Sequence, residues 1–319
     1  MTSVERRRLA ILPTPLQRLP ALSASLGCGP LYCKRDDLVG FGVAGNKARS
    51  LEFLLGDALA GNADTLITAG APGSNFIAAA ALAARVCGLD CEILVAGSVP
   101  PGPTVPLELA ARSGARLTFT GADRHDLDRL VGEHADKLRA HGRNPYPVPR
   151  GGATAVGALG FAHAATELAA QLADQMAAGD ALIVLPTGSG ASLAGFLAGR
   201  AAIGATWRTY GISVSRPADR MHDEVLELAA GCAELLGGPA PTARDLHLID
   251  ATGTGFGQVS DADRAGMALA LDTQGLFVDP TYGAKMMTAL PDLLDQAAGA
   301  PVVLWLTGGL PSALKGWTP

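Results

Sequence analysis

The chain has 319 residues, of which 48% are apolar and 17% charged, and its formal net charge at pH 7 is −5. This composition excludes a disordered chain. Its mild acidity argues against nucleic acid as a partner, because phosphate contacts need clustered Lys and Arg. No apolar run approaches the roughly 20 residues of a membrane helix, and no signal peptide is recognisable. We therefore predict a globular cytoplasmic protein that binds neither nucleic acid nor membrane.

Predicted elements alternate along the first half of the chain between short β-rich runs and longer helical patterns. A helix begins at Ala48, after a glycine-rich segment. Ser74 then has the position of an N-cap, before an alanine-rich helix that runs to about Cys87. The other predicted elements here are strands at 64–68, 91–95 and 115–120 and helices at 105–113 and 123–141.

After a glycine-rich break near residue 151 the same alternation resumes. It predicts helices at 159–176, 192–203, 218–236, 261–274 and 282–296 and strands at 181–185, 209–214, 246–249 and 302–306. Apolar strands that alternate with helices indicate mostly parallel sheets covered on both faces, hence an α/β fold. We predict two domains, a large one of residues 1–50 and 156–319 and a small one of residues 51–155.

The cysteines and histidines point away from disulfides and metals. The five Cys include no C-x-x-C pair, and the six His include no H-E-x-x-H motif. Reduced, buried thiols are the expected state of such cysteines. We therefore predict no metal site.

A glycine-rich loop follows the apolar strand at 181–185 and opens the next helix. Small residues let backbone N–H groups point at an anion, and the helix N-terminus adds positive potential. No Lys follows the last Gly, so the loop is not a Walker A motif, and its spacing is not G-x-G-x-x-G. It predicts a phosphate site, with a plain tight turn as the alternative, formed by Thr187, Gly188, Ser189, Gly190, Ala191 and Ser192.

Lys47 lies in a second glycine-rich segment, directly at a predicted helix start. An exposed surface lysine is the ordinary alternative. If it is desolvated near an anion site, a lysine loses its proton more readily and becomes a nucleophile. A lysine together with a phosphate loop, without a nucleotide fingerprint, indicates pyridoxal phosphate, which needs an amine and a phosphate cradle.

Three further polar positions lie at element ends, where α/β folds bind their ligands. Ser74 and Asn75 follow the strand at 64–68, and either bind a carboxylate or ring oxygen or merely cap the helix. Tyr282 is a candidate general acid, with a tyrosine hydrogen-bonded to backbone as the alternative. Thr307 follows the last predicted strand.

These segments together resemble the family of 1-aminocyclopropane-1-carboxylate deaminase and D-cysteine desulfhydrase, which are pyridoxal phosphate enzymes of fold type II. The resemblance spans nearly the whole chain. The matching motifs, in order, are Thr14-Pro15-Leu16, Lys34-Arg35-Asp36-Asp37, Gly45-Asn46-Lys47, Ser74-Asn75, Thr187-Gly188-Ser189, Asp279-Pro280-Thr281-Tyr282 and Thr307-Gly308-Gly309.

The resemblance implies a role for each matched residue. Lys47 would carry the cofactor covalently and then move the proton at the substrate α-carbon. Asn75 would bind the cofactor ring oxygen. Ser74 would bind the substrate carboxylate or act nearer the reacting centre, as a catalytic residue, and Tyr282 would face the substrate from the other side. The loop from Thr187 to Ser192 would hold the phosphate. The family also implies a homodimer.

Four positions depart from the family pattern. Gly73 stands where a Gln is usual, Phe76 where a polar residue is usual, and Phe256 where a Tyr is frequent. Gly283 stands where an acidic or hydroxyl residue is usual, which leaves Thr307 as the candidate partner of the pyridine nitrogen. Fewer hydrogen-bonding groups favour a bulkier or more apolar amino acid.

The leading hypothesis is a lyase or deaminase that removes the α-proton of a small amino acid and eliminates a β-substituent, giving a keto acid and ammonia. A β-replacement enzyme is the close alternative. A vestigial protein that only binds the cofactor is a second alternative. A nicotinamide oxidoreductase is a third alternative, but the sequence lacks the dinucleotide fingerprint that such an enzyme needs.

Overall fold

The computed structural model describes residues 4–102, 104–175, 180–253 and 255–315. The strands are β1 Leu16–Arg18, β2 Leu31–Arg35, β3 Thr65–Gly70, β4 Asp90–Val95, β5 Arg116–Phe119, β6 Pro145–Pro147, β7 Leu182–Thr187, β8 Arg208–Ser213, β9 His247–Asp250 and β10 Val302–Leu306. The helices are α1 Pro20–Leu26, α2 Lys47–Ala60, α3 Asn75–Cys87, α4 Val105–Arg112, α5 Leu127–Ala140, α6 Ala155–Gln175, α7 Ala191–Ala202, α8 Ala218–Leu236, α9 Asp261–Gln274, α10 Gly283–Ala297 and α11 Leu310–Lys315.

The strands form two sheets. The larger sheet has the order β1-β2-β10-β7-β8-β9, and the smaller has the order β5-β4-β3-β6. All pairs are parallel except β1 with β2. The α/β class and the mostly parallel sheets flanked by helices are therefore confirmed. The two-domain division stays a prediction, which the smaller sheet supports because all four of its strands lie within residues 51–155.

Most predicted elements are present within a few residues of their predicted bounds, but two helix starts were wrong. α5 begins at Leu127 rather than 123, because the Asp123 carboxylate accepts the His125 N–H and forms a turn there. α6 begins at Ala155 rather than 159. Its predicted end, Met176, lies outside the described residues. The short strands β1 and β6 were not predicted, and neither were α1 and β2.

A buried ionic network fixes α2 to the larger sheet. The Arg49 guanidinium, on α2, pairs with Asp36 at 2.8 Å and with Glu167 of α6 at 2.9 Å. Lys34, on β2, pairs with the same Glu167. The Trp305 indole N–H of β10 donates to Asp36 at 2.9 Å. Buried charges are tolerated only when they are paired and hydrogen-bonded, so this network holds the helix that begins at the candidate lysine in one place.

None of the described helices combines the length and apolarity that crossing a membrane requires. The described residues also include no group of three or more His, Cys, Asp or Glu side chains placed to hold a metal ion. All five cysteines are free thiols.

Candidate active site

A cavity of about 1020 Å³ lies between the strand ends of the two sheets and receives almost every predicted site residue. Its volume is at the upper end of the range common for ligand pockets. The predicted residues that line it are Lys47, Ser74, Asn75, Thr187, Gly188, Ser189, Gly190, Ser192, Tyr282 and Thr307. Ala191 is the exception: it is the first residue of α7 and its side chain is buried behind the loop.

Lys47 is the first residue of α2, and the turn before it packs against the residue that follows β10. The Asn46 N–H donates to the Thr307 carbonyl at 2.8 Å. Gly45 has φ +54°, and a Cβ there would lie 2.3 Å from that same carbonyl oxygen. Only glycine fits such a close approach with a left-handed backbone. The turn therefore places Lys47 and Thr307 on the same wall of the cavity.

The Lys47 amine has no ionic partner among the described residues. Desolvation by burial lowers the pKa of Lys47 from 10.5 to about 8. Within the described ranges no carboxylate lies within 4 Å of its Nζ, whereas Lys34 is paired with Glu167, and Lys285 lies 3.6 Å from Asp263. An amine with a lowered pKa and no counterion is a nucleophile and a base near neutral pH.

The predicted phosphate loop joins β7 to α7. Gly190 precedes the helix in a left-handed conformation, with φ +93°, so that the first N–H groups of α7 face the cavity. The Thr187 hydroxyl is buried at the end of β7 and has no hydrogen-bond partner. A buried hydroxyl without a partner is costly. A phosphate group at this helix N-terminus is the kind of ligand that satisfies such a set of donors.

Ser74 and Asn75 present free polar groups from the N-terminus of α3. Ser74 is the N-cap residue of α3, as predicted, and its side chain makes no capping hydrogen bond in the described part of the chain. Neither side chain, nor the Thr307 hydroxyl, has a hydrogen-bond partner in the part of the chain that the structure describes. All three therefore remain available to a ligand in the cavity.

Tyr282 lies across the cavity at the N-terminus of α10. The buried Asp279 carboxylate accepts the N–H groups of Tyr282 and Gly283, at 3.0 and 2.9 Å, and so holds this turn. A Cβ on Gly188 would lie 2.9 Å from the Tyr282 hydroxyl, which places that hydroxyl over the phosphate loop. Burial raises the pKa of Tyr282 to about 12. Its hydroxyl is therefore protonated at neutral pH.

The four departures from the family pattern differ in their surroundings. A Cβ at Gly73 would meet no atom within 4 Å, so that position borders open space. Phe76 touches the cavity but packs in the core of the smaller sheet. A Cβ at Gly283 would lie 2.7 Å from the Val278 Cβ, so no acidic side chain fits there. Phe256 is 41% exposed and meets the Tyr282 ring edge-on at 6.4 Å.

Sequence reasoning missed a group of charged residues at one side of the cavity. Arg124, Arg150 and Arg216 all line it, with Asp128 and Glu224 beside them. No motif contains these arginines, and their spacing along the chain is irregular. Only the packing of α5 and α8 around the cavity brings them together, so no sequence signal identified them.

An unpaired lysine and a helix N-terminus that open into one cavity of a type II α/β fold define a pyridoxal phosphate enzyme. The unpartnered Thr187 hydroxyl and the free Ser74, Asn75 and Thr307 side chains fit that cofactor, because its ring oxygen, ring nitrogen and phosphate are all hydrogen-bonding groups. The sequence profile of the family described as "Pyridoxal-phosphate dependent enzyme" matches residues 7–308, and the chain belongs to this family.

Relatives of known name cover nearly the whole chain. A Pyrococcus abyssi protein provisionally named 1-aminocyclopropane-1-carboxylate deaminase is 35% identical over 95% of this chain and 92% of its own. D-cysteine desulfhydrase of Salmonella choleraesuis is 34% identical over 98% and 96%. The crystal structure of an ACC deaminase homologue is 33% identical and matches 97% of this chain and 93% of its own with a TM-score of 0.88. The chain is thus a pyridoxal phosphate-dependent enzyme of the lyase and deaminase type.

Proposed function

We propose that the protein removes the α-proton of a small amino acid and eliminates its β-substituent, releasing a keto acid and ammonia. The observation that carries the proposal is Lys47: its amine is held at the start of α2, has a pKa lowered to about 8 and has no counterion in the described chain. The names of the two relatives, a desulfhydrase and a deaminase, support this reaction type. They also indicate small amino acids as substrates.

Residues from several elements of the chain would bind different groups of the cofactor. The first N–H groups of α7, with the hydroxyls of Thr187, Ser189 and Ser192, would bind its phosphate. The Asn75 amide would bind its ring oxygen, and the Thr307 hydroxyl its ring nitrogen. Once bound, pyridoxal phosphate supplies the electron sink that takes up the charge left at the α-carbon.

Lys47 acts at the reacting centre in this proposal. It anchors the cofactor and then, as a free amine, takes the proton from the substrate α-carbon. Ser74, at the N-terminus of α3, binds the substrate carboxylate beside it. Tyr282 faces the substrate from the opposite wall, where its protonated hydroxyl donates a proton to the departing group.

We further propose that the enzyme is a cytoplasmic homodimer. The five free cysteines agree with a reducing compartment. Sedimentation of the purified protein at micromolar concentration tests the dimer: a species of about twice the 32.4 kDa chain mass is expected, and a monomer contradicts it.

Turnover of β-substituted amino acids tests the reaction itself. The holoenzyme is given both enantiomers of cysteine, β-chloroalanine and serine, and 1-aminocyclopropane-1-carboxylate, and keto acid and ammonia are measured together. Equal amounts of the two products from at least one substrate are expected. The Lys47→Ala protein should keep the cofactor but lose turnover by orders of magnitude, while Lys137→Ala, a change on the exposed face of α5, serves as the control. Cofactor binding without turnover of any of these compounds, or of S-carboxymethylcysteine, contradicts elimination as the function.

A further inference from the structure

Arg124 is a cation that lines the cavity from the loop that precedes α5. It is half-buried, its guanidinium carbon lies 4.6 Å from the centre of the Phe256 ring, and that ring meets Tyr282 edge-on. Its only hydrogen bond within the described residues is a long one, 3.4 Å to the Ser215 carbonyl. The guanidinium is therefore positioned by a stacking contact while its other donors remain unused.

Among the described residues, Arg124 forms no ion pair with the charges around it. Arg150 pairs with Asp128 at 2.7 Å, and Arg216 pairs with Glu224 at 2.7 Å. In the described part of the chain no carboxylate lies within 4 Å of Arg124; Glu227 also lines the cavity, but it forms no ion pair. Burial, and then the positive charges of Arg150 and Arg216, lower the pKa of Arg124 more than the nearby Tyr282 and Asp123 raise it. A partly desolvated charge with like charges around it gains stability when an anion binds.

We propose that Arg124 binds an anionic group at the far end of the substrate side chain, so that the preferred substrates are amino acids whose β-substituent carries a carboxylate or a similar anion. This inference rests on the proposed β-elimination. The planar guanidinium offers two parallel N–H donors, which match a carboxylate and hold it more specifically than an ammonium group does.

Arg124 is better placed for this group than for the other two anions of the reaction. The cofactor phosphate already has the N-terminus of α7 and its hydroxyls. The substrate α-carboxylate has Ser74 and the N-terminus of α3. Arg124 instead stacks on Phe256, which contacts Tyr282, the residue that faces the leaving group in the proposed reaction. Gly73 and Phe256 predict a bulkier or more apolar substrate, and Arg124 indicates that its side chain also ends in an anionic group.

A matched pair of substrates isolates the charge. S-carboxymethylcysteine and S-carbamoylmethylcysteine have the same shape, but only the first carries a distal anion. Elimination breaks the Cβ–S bond, the sulfur leaves with the bonding electrons and is protonated, and water converts the remaining enamine to pyruvate and ammonia. We expect the holoenzyme to favour the carboxymethyl compound in kcat/KM by roughly 10- to 100-fold, the worth of a charge-assisted hydrogen-bond pair.

Two variants assign that preference to Arg124. Arg124→Gln should reduce the ratio of the two kcat/KM values to about one, chiefly by lowering kcat/KM for the anionic substrate. Arg124→Lys should keep part of the preference. Arg129→Gln removes the same charge from the exposed face of α5, where Arg129 pairs with Glu133, and should leave the preference unchanged. If Arg124→Gln weakens both substrates equally, or lowers cofactor affinity, Arg124 binds the α-carboxylate or the phosphate and the inference is overturned.

A binding measurement separates this inference from the proposed reaction. α-Methylglutamate and α-methylglutamine have no α-proton and therefore bind without elimination. Calorimetry on the holoenzyme should show tighter binding of α-methylglutamate, and Arg124→Gln should abolish the difference. Equal binding, together with equal turnover of the two cysteine derivatives, overturns the inference while elimination stands. A binding preference without turnover of any substrate supports the anion site and overturns elimination.

Discussion

Titration of Lys47 in the cofactor-free protein gives a direct measure of the site's electrostatics. Burial lowers the pKa of Lys47 from 10.5 to about 8. At pH 7.5 a pKa of about 8 leaves about a quarter of the amines neutral, against about one in a thousand for an amine at 10.5. The neutral fraction of Lys47 is therefore expected to be about two hundred times that of an ordinary lysine at this pH.

Trace acetylation measures that neutral fraction. The cofactor-free protein is exposed briefly to acetic anhydride between pH 6 and 11, and the label on the Lys47 peptide is quantified by mass spectrometry. A reference amine of known titration curve, added to each sample, normalises the reagent. The labelling rate of Lys47 should rise with pH and level off with a midpoint near 8. A midpoint near 10.5 would refute the reasoning, because it would mean that burial does not disfavour the charged form.

The remaining predictions concern Thr187, Lys47 and Glu167. Thr187→Val should stabilise the cofactor-free protein by about 1 kcal/mol in thermal unfolding and weaken cofactor binding about tenfold. Thr209→Val removes another unpartnered buried hydroxyl and should stabilise the protein without weakening cofactor binding. Equal cofactor affinities of the two variants would contradict the phosphate assignment. Lys47→Met should raise the melting temperature of the cofactor-free protein at pH 7, where the native state must hold a proton on a desolvated amine. The gain should fade between pH 8 and 10.5. No gain at pH 7 would argue against desolvation of the amine. Glu167→Gln should lower the melting temperature at pH 7. The pKa of Glu167 is lowered to about 2, mainly by Arg49, so the stability of the wild-type protein should fall as the pH drops from 4.5 towards 2. The variant should lack that fall.

Much of this fold could be predicted because its strands are apolar runs bounded by glycine-rich turns. β10 and α9 were predicted at their observed bounds, since each is framed by clear start and stop signals. β1 and β6 were missed because three residues are too few to show a period. The missing cap at Ser74 depends on a side-chain rotamer, which spacing along the chain does not specify.

The candidate site divides in the same way. Lys47 and the loop after Thr187 were found because their chemistry is local: glycines, a helix start and one polar side chain lie together in sequence. Arg124 was not found, because its environment is assembled from distant segments. Its hydrogen-bond partner Ser215 is 91 residues away, and Phe256 is farther still. Packing alone determines that Arg150 and Arg216 form ion pairs and that Arg124 forms none among the described residues.

Reduction of the holoenzyme with borohydride, followed by peptide mass mapping, tests the central claim most directly. Borohydride fixes pyridoxal phosphate permanently on the lysine that carries it. The account predicts a single modified peptide, with the added mass on Lys47. An adduct on Lys34 or Lys285, which are both ion-paired in the structure, or no adduct on any lysine, would contradict it.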